Sequence, residues 1–116
     1  MQYMLLLNSD PSGWAALSPE ERGAAMKTYM AYTADLRAAG AFVAGDQLHP
    51  PHTATTISVS DGVRRVQDGP FAATKEQLGG YYIIDAPDLD AALAWAERCP
   101  GAHHGTVEVR PIVMMG

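Results

Sequence analysis

Two stretches of this chain, residues 2–7 (QYMLLL) and 79–86 (GGYYIIDA), carry apolar side chains on both of their alternating faces. That pattern constrains the fold more than any other feature of the sequence. Successive side chains of a strand point to opposite sides, so a sheet built from such strands needs cover on both. The chain offers two long helical segments to provide it. Ser18-Pro19-Glu20-Glu21 opens the first. Ser18 can cap the amide of Glu21, Glu21 can reach back to the amide of Ser18, and Pro19 takes the first helical position, where its missing N–H costs nothing. The apolar stripe of this helix is expected at Met26, Tyr29, Met30, Thr33 and Leu36, and Gly40 supplies a left-handed stop. Pro87-Asp88 opens the second, with Leu89, Ala92, Leu93 and Ala96 at helical spacing, and Cys99-Pro100-Gly101 ends it.

The remaining segments read as strands and turns. Residues 8–13 are a loop by composition, residues 41–46 a strand, and residues 48–52 a linker that two prolines keep out of regular pairing. Residues 53–60 and 63–67 flank Asp61-Gly62, the dipeptide of a two-residue hairpin turn, and that register sets Ile57 opposite Val66. Residues 106–113 form the last strand, where Pro111 indicates an edge or a fraying end. The order β-α-β, hairpin, β-α-β is that of an α+β, ferredoxin-like arrangement with an antiparallel sheet. Helices on one side of that sheet leave the other side bare. A chain of 116 residues has nothing left to cover it. The economical solution is a homodimer packed sheet on sheet.

Composition narrows the function classes. Hydrophobic residues make up 47% and charged residues 18%, a globular balance sized for a single domain, residues 1–116. No apolar run approaches the roughly 18 residues of a membrane span, and no basic region precedes the short apolar N-terminal stretch, so no membrane association is expected. Eight Lys+Arg against 13 Asp+Glu leave a net charge of -5, which argues against a nucleic-acid partner. The single cysteine, Cys99, excludes an internal disulfide and a thiolate metal cluster, and fits a cytoplasmic protein.

Asp68-Gly69-Pro70-Phe71 followed by Thr74-Lys75-Glu76 and Gly79-Gly80-Tyr81-Tyr82 resembles the DGPF signature of the YCII-related proteins. The likeness extends to Ser18-Pro19-Glu20-Glu21, Leu36-Arg37-Ala38-Ala39-Gly40, Asp88-Leu89-Asp90-Ala91-Ala92 and Val107-Glu108-Val109-Arg110-Pro111, nearly the whole chain. The resemblance implies a dimeric α/β-barrel fold, and through the gene neighbourhoods of such proteins an accessory role beside extracytoplasmic-function sigma factors. Some relatives carry a His–Asp pair near a cavity between helix and sheet, and one branch of the superfamily performs dechlorination chemistry on aromatic compounds. Matched to that pattern, this chain has Tyr29 where the histidine would stand and Asp46 in the region of the acidic partner.

Tyr29 and Asp46 are therefore the candidate catalytic pair, a phenol as orienting group or weak acid and a carboxylate as base. The alternative is a packing tyrosine whose hydroxyl is satisfied by that carboxylate. His49 follows Asp46 on the stiff proline linker and is placed as a cavity-lining group. In the DGPF turn, Gly69 can take positive φ, Asp68 can accept from the amides of its own turn, and Phe71 is expected to anchor the turn in the core. Asp68 and Phe71, with Lys75 as a cation for an acidic ligand, complete the expected binding set. Gly79-Gly80 precedes a strand rather than a helix, so it is no phosphate loop; close approach of another backbone explains it better. No metal and no cofactor is expected: His49, His52, His103 and His104 do not form the three- or four-ligand set of a stable site. The expected function is binding of a small acidic or aromatic molecule between helix, sheet and partner subunit, with acid–base catalysis open. The alternatives are a sigma-factor accessory protein and a purely structural dimer.

Overall fold

The computed structural model describes residues 1–114. Its elements run β1 (Gln2–Ser9), α1 (Pro11–Ala15), α2 (Pro19–Ala38), β2 (Phe42–Gln47), a 3-10 turn at Pro51–Thr53, β3 (Thr55–Ser60), β4 (Val63–Asp68), β5 (Gln77–Asp85), α3 (Leu89–Arg98), α4 (Gly101–His104) and β6 (Thr106–Pro111). Four strands form an antiparallel sheet in the order β2-β5-β1-β6, and β3 and β4 pair in a separate two-stranded ribbon. The fold is mixed α+β with antiparallel sheets, as its sequence pattern predicts.

Local chemistry accounts for most boundaries. The Ser18 side chain accepts from the Glu21 amide at 3.1 Å and Glu21 accepts from the Ser18 amide at 3.0 Å, closing the expected capping box. That hydrogen bond from the Ser18 amide holds the Glu21 carboxyl below its ordinary pKa. Gly40 ends the segment at φ 70. Asp61 and Gly62, at φ 51 and 75, make the two-residue turn, and Ile57 stands opposite Val66. Asp88 caps α3 by accepting from the Ala91 amide at 2.9 Å. Pro111 ends β6, an edge strand of the sheet.

Leu5, Leu36, Ile84 and Cys99 are fully buried on the side where the sheet meets the helices, among Tyr3, Tyr32, Tyr82, Ala92 and Ala96. Aromatic rings join the layers. Tyr32 meets Tyr82 edge-on at 5.3 Å and donates its hydroxyl to the Trp95 carbonyl at 2.8 Å, which ties α2 to α3. The stripe of α2 differs from the expected one. Tyr32 and Leu36 are buried and Ala25, Tyr29 and Thr33 half-buried, whereas Met26 and Met30 are exposed on the flank. The helix is rotated so that its aromatic positions, with more area to bury, face the sheet.

One irregularity decides which side chains meet. Phe42 pairs with Ile84, Ala44 with Ile83 and Asp46 with Tyr81, so Val43 is an extra residue in β2. Phe42 points to the helix side, where its ring lies edge-on to Tyr82 and the Arg37 guanidinium sits 4.1 Å from its centroid. Unbroken alternation would send Ala44 and Asp46 the same way. The bulge moves both to the opposite face.

Candidate functional site

The site begins at the C-terminal end of β2. Gln47 pairs with Gly80, and Leu48, which follows, donates its amide to the Gly79 carbonyl at 2.9 Å. The chain then turns outward through His49 and Pro50. Facing this bend is Trp14 on α1, a one-turn helix that residues 8–13 do not predict. Asp10 caps it, accepting from the Ser12 amide at 3.0 Å and the Ser12 hydroxyl at 2.7 Å, bonds that lower the Asp10 pKa. Arg22 of α2 fastens α1 in place by donating to the Trp14 carbonyl at 3.3 Å and the Ala15 carbonyl at 3.2 Å. Trp14, Gln47, Leu48, His49 and Pro50 line a cleft of about 310 Å³. The cleft is open to solvent, and a second open hollow of about 310 Å³ lies between α3 and β6. Sequence reasoning missed Trp14 because Asp-Pro-Ser serves turns and helix starts alike; the Asp-Pro start was the available signal.

The structure separates the expected catalytic pair. Tyr29 lies on the helix side, where the position a Cβ on Gly101 would take is 3.1 Å from its hydroxyl and 3.2 Å from Leu7. Burial, followed by the neighbouring Cys99 and Tyr82, pushes its pKa up to about 12. It is thus a neutral phenol at ordinary pH. Next to it, Thr33 donates to the Tyr29 carbonyl at 2.9 Å, which leaves the Tyr82 hydroxyl, 2.9 Å away, to donate to Thr33. Asp46 is on the other face, exposed, and accepts from the Tyr81 hydroxyl at 3.1 Å. That bond raises the Tyr81 pKa. Tyr29 and Asp46 therefore lie on opposite faces of the sheet within a single chain, and the bulge at Val43 is what turns Asp46 away from the helix side.

The DGPF turn is also corrected. Gly69 takes φ 97, as expected, but Phe71 is 90% exposed rather than buried in the core. Polar clamps hold the turn without the ring: the Gly69 amide donates to the Ala54 carbonyl at 2.7 Å, and the Gln77 side chain donates to the carbonyls of Ala72 and Thr74. Asp68 sits in the ladder opposite Thr55, exposed, and Lys75 is exposed on the following segment, its charge felt at Asp10. Of the expected binding set, only His49 reaches the cleft. Gly80 lies as close to another backbone as its lack of a side chain allows, a Cβ there standing 3.0 Å from the Asp46 carbonyl, whereas Gly79 is the bulge residue of β5.

His103 bonds through Nε2 to the Glu97 carbonyl at 2.9 Å. Among the described residues no three His, Cys, Asp or Glu side chains come together as a metal site. Cys99 is fully buried, and that burial raises its thiol pKa and disfavours the thiolate. No helix of the described residues is long and apolar enough to cross a membrane.

Residues 1–116 match the model of the YCII-related domain along their whole length. The chain belongs to the YCII-related family. An uncharacterised protein of Rhizobium meliloti (strain 1021) is 39% identical over 116 residues, spanning 98% of this chain and 94% of that relative. The YCII-related likeness read from the DGPF segment is thus shown. It supplies a lineage without a reaction, so the chemistry has to come from the site itself.

Proposed function

We propose that this YCII-related protein is a ferredoxin-like protomer of a dimeric α/β barrel, and that it binds a small aromatic acid in the Trp14–His49 cleft. The observation that carries the binding reading is the pairing of unlike groups around one hollow of about 310 Å³. The Trp14 indole offers a flat apolar wall on which an aromatic ring stacks. Two other lining residues, His49 and Gln47, carry side chains able to donate hydrogen bonds to a carboxylate. Pro50 keeps the His49 backbone from relaxing, so little order has to be created on binding. In this reading any acid–base step on the bound molecule falls to His49.

The dimer reading rests on the sheet. Both long helices pack against the side of Tyr3, Leu5, Tyr82 and Ile84. The opposite side presents Met4, Leu6, Ala44, Tyr81 and Ile83, none of them fully buried. A second sheet laid on that face removes the patch from water, and Asp46 with its Tyr81 bond then lies at the seam between subunits.

Calorimetric titration with benzoate, 4-hydroxybenzoate and succinate tests the cleft. Saturable binding heat with the aromatic acids is expected, lost in Trp14→Ala, weakened several-fold in His49→Ala and unchanged in His103→Ala. Undiminished binding by Trp14→Ala, or no saturable change with any of the three acids, contradicts the proposal.

A further inference from the structure

The ribbon formed by β3 and β4 stands apart from the body. Every residue of β4 and all of β3 except Thr56 are exposed. Its two faces differ in kind. Residues paired across the ladder share a face, so Ile57, Val66, Val59 and the Arg64 stem lie on one side with Thr55 and Asp68 at its open end, and Thr56, Gln67, Ser58 and Arg65 lie on the other, with Ser60 and Val63 beside the turn. An isolated two-stranded ribbon is marginal in water, and one whose apolar face is wet more so.

The size of the molecule indicates what is missing. Its accessible surface is 8042 Å², against roughly 6,100 Å² for a compact chain of 12.4 kDa. Its radius of gyration is 16.1 Å, against about 13.4 Å for a compact domain of this length. The excess surface of roughly 1,900 Å² falls within the roughly 1,000–2,500 Å² that each chain of an obligate pair gives up.

We propose that the β3–β4 ribbon is an arm that clasps a second copy of this chain, with the Ile57–Val66 face lying on the partner subunit. This rests on the dimer proposed above and extends it from the sheet face to the arm. Twofold symmetry supplies two arms, each covering the other subunit, so both ribbons gain support at once. Phe71, 90% exposed at the root of the arm, is the anchor such an embrace would use. The arm also bears on the cleft. Leu48, His49 and Pro50 are at once the wall of the cleft and the chain that leads into the arm, so docking the arm fixes the wall opposite Trp14.

Sedimentation equilibrium on the full chain, with Ile57→Asp/Val66→Asp and Ser58→Asp, reads this out. All three positions are exposed in the single chain, so the body folds in every variant. The double variant is expected to raise the dimer dissociation constant by about tenfold or more, and Ser58→Asp to leave it within about twofold. Amides of the ribbon are expected to exchange more slowly in the native dimer than in the double variant. A double variant that associates like the native chain overturns the arm while leaving the dimer in place. A native chain that never associates overturns the dimer first and the arm with it.

Discussion

The helix-covered side of the sheet and the β3–β4 ribbon draw on similar residues with opposite results. Ile84 is fully buried under α2 and α3, whereas Ile57, equally apolar and equally in a strand, is 57% exposed. Both are placed by well-formed ladders. What differs is cover: the sheet has helices over one side, and the ribbon has only a turn to specify it. Turn chemistry sets register, but burial sets stability, and in this chain the two are supplied to different regions.

Substitutions sharpen that contrast. Ile84→Ala removes a side chain from a packed interior and is expected to lower the unfolding free energy by about 2–5 kcal/mol in denaturant titration. Ile57→Ala makes a matched test. In a ribbon left in water it should cost only about 0.5 kcal/mol or less, whereas a ribbon docked on a second copy should lose about 1–2 kcal/mol, and only at concentrations where the chains are paired. Equal costs at the two isoleucines under all conditions would erase the distinction between the regions.

A smaller effect comes from alkali. The folded Tyr29 pKa, about 12, lies above the ordinary phenol value of 10.0 because the charged form is buried. The folded state therefore holds this proton more tightly. The resulting stability is complete below about pH 10 and is lost as pH rises through about 12. Burial also raises Tyr32 and Tyr82, so titration of tyrosinate absorbance should show several late-ionising groups, with Tyr29→Phe removing one near pH 12 and leaving the others.

Some of this was legible in the residues and some was not, for reasons that differ by position. Ser18 with Glu21, Gly40, and Asp61-Gly62 act within a few residues of themselves, so their caps, stop and register are readable directly. The side of the sheet on which Asp46 falls depends on one extra residue at Val43, which no alternation pattern reveals. Face parity is lost at any bulge, and with it the link between Tyr29 and Asp46. Met26 and Met30 matched the helical period as well as Ala25 and Tyr32 do; the choice between adjoining stripes was made by the aromatic rings of Tyr32, Tyr82 and Trp95. Phe71 looked like a core residue because large apolar side chains usually are, yet the turn that carries it is held by backbone and amide bonds. Trp14 was hidden behind a helix start that reads as a loop.

Sedimentation equilibrium of the unmodified chain across falling concentration bears on the central claim most directly. A species of twice the 12.4 kDa chain mass, persisting well below micromolar concentration, is the predicted result. A folded, soluble species of single-chain mass at those concentrations would mean that the bare sheet face and the ribbon are both content in water.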